Sequence, residues 1–396
     1  MRVLSVTAQK PCSTGSGVYL TEVVRSLAKM GVSQAVVAGV TREDRVDMPE
    51  GVTVYPVYFS SEKLPYPVVG MSDEMPYTST RYRDMTEEMA GQFKAAFLEV
   101  LDEAIEKENP DIILCHHLYY LTALIRAHYP AKKVYGFCHN TDLRQMESIL
   151  FERNFIRQEI PKLDRIFALQ EAQKEKIKKI YPVSEKQMTV IGTGYNSEVF
   201  KKTGIKSSKK DGKIRMIFAG KITQKKGVKS LLRALNLLDY EKEKIQLILA
   251  GGAGNLVEYE EIKELADGCR YPVVFAGCVT QSRLAELYND CDIFVLPSMY
   301  EGLPLTVIES LACGDRVVMT KLEGIAEWLA DMVPDADIRY VLPPGMKGTD
   351  EPLEEELPAF ESRLAEALRE AIEEKDTKEC DVSRISWQKI AREVIR

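Results

Sequence analysis

The sequence has few histidines and no clustered cysteines. Its 396 residues include 4 His and 8 Cys, and no two cysteines form a C-x-x-C pair. Structural zinc sites are usually built from such pairs or from Cys/His clusters, so a metal-rich protein is excluded. A secreted disulfide scaffold is excluded as well, because such scaffolds carry a high density of cysteines.

An excess of positive charge and a long apolar run are also missing. The chain has 53 Lys and Arg against 60 Asp and Glu, which gives a net charge of −7. Sequence-independent nucleic-acid binding needs an excess of cations, so that class is excluded. No apolar run approaches the ~18 residues that a membrane span requires, and the first ten residues lack the apolar stretch of a signal peptide. We therefore expect a cytoplasmic protein.

What is present is a regular alternation of short apolar runs and amphipathic helices. Its length leaves room for two domains at about 150 residues each. Apolar runs that read as buried strands occupy residues 3–6, 34–40, 111–114, 133–138, 214–219, 245–250, 273–276, 293–296, 316–319 and 339–342. Helical patterns between such runs predict βαβ units and a mostly parallel sheet covered by helices. The fold class is therefore α/β, with two doubly wound domains.

The domain boundary is marked by a stretch without apolar periodicity, residues 196–213. We predict domains over residues 1–192 and 193–378, followed by a closing helical segment over residues 379–396. The stretch is rich in lysine, which is typical of a solvated linker. A second interpretation is a basic patch that contacts anionic lipid at the inner face of a membrane. The lysines concerned are Lys201, Lys202, Lys206, Lys209, Lys210 and Lys213.

The most informative segment is EGLPLTVIE, which follows the predicted strand 293–296. Glu301 lies in the loop, Pro304 favours the start of a helix, and Glu309 lies within that helix. The first N–H groups of such a helix can bind an anion. The N–H groups concerned belong to Leu305, Thr306 and Val307. The alternative is that Glu301 only stabilises the helix end and Glu309 points to solvent.

A second segment, FAGKITQKKG, also follows a predicted strand. Lys221 comes directly after Gly220, and Lys226 precedes the next helix. Two ammonium groups at the carboxyl end of a sheet could neutralise a leaving diphosphate without a metal. The alternative is an ordinary solvated loop.

Together these segments resemble the retaining family-4 glycosyltransferases of the GT-B fold. The resemblance extends over essentially the whole chain and includes TVIGTGYNSEVF, LILAGGAG, FAGCV and the closing SWQKIAREV. It implies two Rossmann-like domains that face each other across a cleft. It also implies that the final helix crosses back to the N-terminal domain.

The resemblance further implies a donor site for a nucleoside-diphosphate sugar. Glu301 would contact the donor sugar, Glu309 the ribose, and Lys221 and Lys226 the diphosphate. The remaining implied donor-binding residues are Gly15, Ser16, Gly17, Gly220, Cys278, Val279, Gly302, Leu303, Pro304, Leu305 and Thr306. Nothing in these segments requires a divalent metal, so neither a metal nor another cofactor is expected.

In the first half, His139 follows the predicted strand 133–138 and matches the family's histidine. Its neutral imidazole could bond a sugar hydroxyl as part of the catalytic set, although a lone histidine is often structural. We place His116, Asp142 and Arg81 on the acceptor side. Residues 64–85, rich in Pro, Tyr and Arg, are either a loop that orders around the acceptor or an insertion that packs on its own domain.

The leading hypothesis is a metal-independent enzyme that transfers a sugar from its nucleotide to an acceptor hydroxyl with retention. One alternative is a nucleotide-sugar epimerase on the same architecture, and another is a non-catalytic nucleotide-sugar-binding subunit. A dehydrogenase is disfavoured because GSGVYL lacks the third glycine of the dinucleotide fingerprint.

Overall fold

A computed structural model of the protein describes residues 1–11, 13–73, 75–204, 206, 211–253, 255–348, 351–374 and 380–396. The chain divides into two compact units. Unit 1 contains Met1–Gly194 and Trp387–Arg396, and unit 2 contains Tyr195–Ser386. Cys12, Lys209 and Lys210 lie outside the described residues.

Unit 1 is built on a seven-stranded sheet in the order β3-β2-β1-β6-β7-β8-β9, in which all neighbouring strands that pair do so in parallel. A second, two-stranded sheet joins β4 to β5. The strands are β1 (Arg2–Thr7), β2 (Ser33–Val40), β3 (Thr53–Tyr58), β4 (Val69–Gly70), β5 (Thr80–Arg81), β6 (Ile112–His116), β7 (Lys133–Phe137), β8 (Arg165–Ala168) and β9 (Met188–Val190). Its strand order reverses between β1 and β6, the position at which doubly wound sheets bind ligands.

Helices connect these strands and start at polar caps. The side chain of Thr14 accepts a hydrogen bond from the N–H of Gly17 at 3.1 Å, and that of Thr86 accepts one from Met89 at 3.2 Å. Such caps satisfy N–H groups that the first helical turn leaves without a partner. The helices are α1 (Gly15–Lys29), α2 (Glu87–Glu108), α3 (Tyr120–His128), α4 (Thr141–Ser148), α5 (Arg153–Glu159) and α6 (Glu171–Ile180).

Residues 64–73 and 75–85 pack on unit 1 itself. The side chains of Leu64, Val68 and Tyr82 are buried in the same apolar core as helix α2. The ring of Tyr82 lies edge-on to Tyr119, with centroids 4.8 Å apart. Of the two interpretations of this stretch, its apolar residues fit the packing insertion.

Unit 2 has a six-stranded parallel sheet in the order β12-β11-β10-β13-β14-β15 and a short antiparallel pair, β16 and β17. Its strand order reverses between β10 and β13. The strands are β10 (Ile214–Ala219), β11 (Ile245–Ala250), β12 (Val273–Gly277), β13 (Ile293–Leu296), β14 (Arg316–Thr320), β15 (Ile338–Val341), β16 (Met346–Lys347) and β17 (Glu351–Pro352). The helices are α7 (Val228–Asn236), α8 (Leu256–Asp267), α9 (Gln281–Asp290), α10 (Leu305–Ala312), α11 (Ile325–Met332) and α12 (Leu357–Glu373).

The prediction of an α/β fold with parallel sheets is confirmed. Each of the ten apolar runs coincides with a strand to within two residues at either end. The sequence did not reveal β3, β8 and β9, which lie toward or at an edge of the first sheet. These strands carry fewer consecutive apolar residues, and Pro56 interrupts the first of them.

The chain returns to unit 1 through helix α13 (Trp387–Val394), which packs on α1. Trp387 lies against Gly194, where an added Cβ would come 2.6 Å from the backbone nitrogen of Trp387. Helix α13 also bonds to the sheet, since Arg165 pairs with Glu393 at 2.5 Å. Helix α13 is therefore part of the fold of unit 1.

The lysine-rich stretch is not uniformly solvated. Lys206 is mostly buried, and its Nζ atom lies 2.5 Å from Oδ1 of Asp315. It also donates to the carbonyl oxygens of Tyr288 and Cys313. Lys206 therefore anchors this stretch to unit 2 and contributes no charge to an open basic patch. None of the helices that the described part of the chain forms is long and apolar enough to cross a membrane.

Candidate active-site residues

Two loops of unit 2 meet where the strand order reverses, one after β10 and the other after β13. The N–H of Met299 donates to the carbonyl oxygen of Lys225 at 3.0 Å. Gly227 has a φ of +74°, and a Cβ at this position would lie 2.1 Å from the carbonyl oxygen of Pro297. Because only glycine tolerates this conformation and this contact, Gly227 allows the loops to approach each other.

This approach brings together two of the predicted catalytic residues. The Nζ atom of Lys226 lies 2.6 Å from Oε1 of Glu301. The side chains are 24% and 13% exposed, so both groups are held at the surface of the site rather than in bulk solvent. A cation and a hydrogen-bond acceptor thus occupy one point at the carboxyl end of the sheet.

The N terminus of α10 lies a few residues further along the second loop. Pro304 is the N-cap residue and no side chain caps the helix, so the N–H groups of Leu305 and Thr306 have no intrahelical acceptor. Glu309 is buried at 6% exposure, which rules out the alternative that its carboxylate points to solvent. Gly302 and Leu303 complete the predicted turn between Glu301 and this helix.

The other predicted residues of unit 2 line neighbouring loops. Gly220 follows β10, and a Cβ on Gly251 of the adjacent loop would meet the carbonyl oxygen of Gly220 at 1.7 Å. Lys221 is half-buried beside it. Cys278 follows β12 and is exposed, with Val279 next to it. All of these positions lie at the carboxyl ends of strands.

In unit 1, three histidines form one cluster at the carboxyl ends of β6 and β7. Nδ1 of His116 lies 3.0 Å from Nε2 of His139, and the two rings are stacked with centroids 5.2 Å apart. The ring of His117 meets His139 edge-on at 4.9 Å. His117 has a φ of +76°, a strained backbone conformation of the kind that gathers at functional sites.

Burial keeps these imidazoles neutral. It lowers the pKa of His139 to about 3. It also lowers the pKa of His116 and of His117 well below the ordinary value, and the neighbouring His139 lowers both further. At neutral pH the cluster therefore offers hydrogen bonds without a net charge.

Asp142 fixes the loop that carries His139. Its fully buried carboxylate accepts hydrogen bonds from the N–H of Leu118 at 2.7 Å and of His139 at 3.2 Å. Burial raises the pKa of Asp142, and these hydrogen bonds oppose the rise. The carboxylate is engaged by the protein itself, so its place is behind His139 rather than on an open surface.

The glycine-rich loop of unit 1 opens helix α1. Gly15 is exposed, and a Cβ there would meet nothing within 4 Å. The hydroxyl of Ser16 bonds to Oε1 of Gln9 at 3.4 Å, and the N–H of Gly17 is capped by Thr14. These residues surround the positive end of a 15-residue helix.

Arg81 does not join the histidine cluster. Its guanidinium is exposed and pairs with Asp84 at 2.5 Å. The arginine that the sequence did not single out is Arg144 of α4, which is buried and bonds to Asp73 at 2.9 Å. Arg83 bonds to the same carboxylate at 2.8 Å.

Two further residues near these loops, Ser298 and Tyr19, were not predicted from the sequence. Ser298 follows β13, is fully buried, and its hydroxyl has no hydrogen-bond partner within the described residues. Tyr19 of α1 packs edge-on against His139 with centroids 5.2 Å apart. Neither lies in a recognisable motif. Their positions, after a strand and on the inner face of the first helix, were the only available signals.

Two family models match consecutive parts of the chain. The model described as Glycosyltransferase Family 4 matches residues 13–199. The model described as Glycosyl transferases group 1 matches residues 200–379. Together they extend over both units.

Relatives and solved structures agree with these matches. An uncharacterized glycosyltransferase of Methanocaldococcus jannaschii is 29% identical over 172 residues, which are 41% of this chain and 44% of that protein. The chain thus spans less than half the length of this curated relative. Sucrose-phosphate synthase of Thermosynechococcus elongatus superimposes with a TM-score of 0.70 at 15% identity, covering 100% of this chain and 97% of that chain. HepE of Anabaena, solved with UDP and glucose, gives a TM-score of 0.63 at 15% identity, with 100% and 98% covered.

Proposed function

Because the chain belongs to the GT-B glycosyltransferases with family-4 and group-1 domains, we propose that it transfers a sugar from a nucleoside-diphosphate sugar to an acceptor hydroxyl with retention of configuration. The observation that carries the proposal is the contact of Lys226 with Glu301 beside the N terminus of α10. It joins the charge and the hydrogen-bonding groups that such a donor requires.

The diphosphate is the leaving group, and unit 2 provides for its charge. Lys221 and Lys226 supply ammonium groups from the loop after β10. The first N–H groups of α10 supply fixed donors, which stabilise developing negative charge without reorganisation. The charge is met by the protein, so we propose that transfer needs no divalent metal. Undiminished activity in EDTA is the expected result.

Neighbouring groups of unit 2 bind the sugar, the ribose and the base of the donor. Glu301 accepts hydrogen bonds from the sugar hydroxyls and Glu309 from the ribose. The exposed loop at Cys278 and Val279 contacts the base. A nucleotide-sugar donor is supported by HepE of Anabaena, which shares the fold and was solved with UDP and glucose.

Unit 1 contributes a neutral imidazole and a helix N terminus. His139 hydrogen-bonds a substrate oxygen, and the loop at Gly15, Ser16 and Gly17 contacts the donor. Since the pKa of His139 is lowered to about 3, its ring is neutral at pH 7 and can donate a hydrogen bond, but it is not an imidazolium acid that protonates the leaving group. The proton of the acceptor hydroxyl therefore passes to the leaving phosphate as the sugar–phosphate bond breaks and the new glycosidic bond forms on the same face.

The experiment has two stages. Thermal denaturation with UDP-, GDP-, ADP- and dTDP-sugars selects the donor, because a ligand at 100 times its Kd adds about 2.7 kcal/mol to the stability of the folded state. The selected donor is then incubated with an acceptor panel, and NMR of the product reports its anomeric configuration. Retention is the expected result.

The controls separate this function from the alternatives. When the nucleotide sugar is incubated with the protein and no acceptor, its sugar should not be epimerised. Glu309→Ala should abolish the donor-induced shift in the melting temperature, whereas Glu264→Ala, a substitution in a different helix of the same unit, should not. Inversion, epimerisation without acceptor, or binding with no turnover on any acceptor would overturn the proposal.

A further inference from the structure

The ring of His116 contacts the ring of His139 in the interior of unit 1. His116 is 4% exposed, and its ring stacks on Phe137 with centroids 4.7 Å apart. Nδ1 of His116 lies 3.0 Å from Nε2 of His139. We propose that His116 is a positioning residue that donates its Nδ1–H to Nε2 of His139 and thereby holds His139 as the Nδ1–H tautomer, an N–H donor to a substrate oxygen.

Hydrogen-bond accounting selects this direction of donation. A neutral imidazole carries one N–H and one acceptor nitrogen. Nε2 of His116 is buried and has no partner within the described residues. If Nε2 carried the hydrogen, a buried donor would be left without an acceptor, which is rarer in proteins than an acceptor without a donor. The hydrogen therefore lies on Nδ1, where Nε2 of His139 accepts it.

The tautomer of His139 follows from this bond. Because its Nε2 acts as the acceptor, its single hydrogen must be on Nδ1. A doubly protonated ring would escape this constraint, but burial lowers the pKa of both histidines far below 7. His139 is thus fixed as a neutral donor rather than as a base.

Neighbouring groups hold the rings in this arrangement without setting the tautomer. Tyr19 packs edge-on against His139, and its hydroxyl donates to the carbonyl oxygen of Gly192 at 3.1 Å. Asp142 binds the backbone N–H of His139 and not its ring. His117 meets His139 only through the edge of its ring, and neither of its nitrogens has a partner within the described residues.

The inference rests on the proposed function only for the identity of the substrate oxygen. The tautomer is a property of the protein and can be measured without a substrate. The chain has four histidines, which makes assignment by single substitution practicable. Long-range ¹H–¹⁵N NMR of the full chain with ¹⁵N-labelled histidine should show both His116 and His139 protonated on Nδ1. His128→Asn removes one set of signals and should leave the other three unchanged.

Two substitutions test the role of the bond. His116→Asn places an amide N–H at the position of Nδ1–H and should preserve both the Nδ1–H signal of His139 and most of the transfer rate. His116→Leu removes the donor, so Nε2–H of His139 should appear. Its kcat should fall on the order of tenfold, with KM for the donor unchanged to within about twofold, because one oriented hydrogen bond is lost.

Failure of this inference and failure of the proposed function give different results. Protonation of His139 on Nε2 in the unaltered protein would overturn the inference, and so would an unchanged tautomer in His116→Leu. This first measurement needs no variant, so it decides the matter even if His116→Leu does not fold. Absence of transfer by the unaltered protein would contradict the proposed function instead, while the NMR result would still decide the tautomer.

Discussion

The Nζ atom of Lys226 lies 2.6 Å from Oε1 of Glu301, although 75 residues separate the two along the chain. Each group neutralises the other before any ligand arrives. In the proposed function, a bound diphosphate gives Lys226 a partner with more negative charge, which frees Glu301 to bond the hydroxyls of the sugar. We therefore propose that the pair binds both parts of a nucleotide sugar.

Replacing Lys226 tests its role in stabilising the leaving group. Lys226→Ala should lower kcat/KM on the order of a hundredfold or more, because a preorganised charge that acts in the transition state is lost. The free energy of unfolding should fall by about 1–3 kcal/mol, because Lys226→Ala leaves the mostly buried carboxylate of Glu301 without this cation. Steady-state kinetics and urea unfolding measure the two quantities.

Lys229→Ala is the matched control for that experiment. Lys229 lies three residues further on, in helix α7, and pairs with Glu261 of helix α8, also at 2.6 Å. It should leave kcat/KM unchanged. Equal losses in the two variants would show that loss of any lysine in this region, rather than the Lys226 site, lowers activity.

Gly227 should be intolerant of a side chain. Gly227→Ala should lower the free energy of unfolding by about 3 kcal/mol or more, from the left-handed backbone conformation and the clash with Pro297 together. Gly277→Ala is the control, because Gly277 has a φ of +69° but open space around it. Its cost should be about 1–2 kcal/mol, from the backbone alone. Equal costs by urea unfolding would contradict the close approach of the two loops.

The histidine cluster should make unit 1 sensitive to acid. Below pH 6.5 the unfolded chain binds protons that the buried rings of His116, His117 and His139 do not. The free energy of unfolding therefore falls as pH falls. Each ring contributes a slope of about 1.4 kcal/mol per pH unit, so the three together contribute at most about 4 kcal/mol per pH unit. For His139 the fall continues toward pH 3.

Urea unfolding between pH 7 and pH 5 measures this slope. His117→Asn should reduce it by about 1.4 kcal/mol per pH unit, because one buried ring no longer resists protonation. His128 is the control, since its side chain is 44% exposed, and His128→Asn should leave the slope unchanged. A slope that is the same in all three proteins would show that the cluster is not buried in its neutral form.

Removing only one member of the buried ion pair between Lys206 and Asp315 should lower the free energy of unfolding. Lys206→Met leaves the carboxylate of Asp315, which is fully buried, without its cation. The free energy of unfolding should fall by about 3 kcal/mol at pH 8. Burial already raises the pKa of Asp315, and loss of Lys206 raises it further. The folded variant then takes up a proton as pH falls, so its deficit relative to the unaltered protein should be smaller at pH 6.

The double variant Lys206→Met, Asp315→Asn provides the comparison for that pair. It removes both charges, so its deficit at pH 8 should be smaller than that of Lys206→Met. In the unaltered protein burial raises the pKa of Asp315 to about 7, so proton uptake stabilises the folded state as pH falls from 8 to 6. The double variant lacks this uptake, so its deficit should grow between pH 8 and pH 6, opposite to the change in Lys206→Met. A deficit in Lys206→Met that is independent of pH would mean that Asp315 does not carry the buried charge.

The strands of both sheets were predictable because strands buried on both faces are short, nearly continuous apolar runs. Ile293–Leu296 and Ile245–Ala250 are such runs. Arg165–Ala168 was missed because it has a charged residue and only three others. Met188–Val190 is shorter still and contains Thr189, so its apolar signal is too weak to separate from a loop.

The candidate site was predictable where the chemistry lies in one segment. Glu301, Pro304 and Glu309 belong to one motif, and a single strand-loop-helix unit places all three. Arg144 was not predictable, because its partner Asp73 lies 71 residues away in the insertion. No local spacing signals such a contact.

The sequence by itself determined which segments become strands and which loops follow them, since burial and turn formation depend on neighbouring residues. It thereby placed Lys226, Glu301 and His139 at the carboxyl ends of strands. Only the tertiary structure decided that Lys226 meets Glu301, that Glu309 is buried and that His116 stands behind His139. These are contacts through space between separate segments, and their distances depend on how strands pair rather than on where each strand begins.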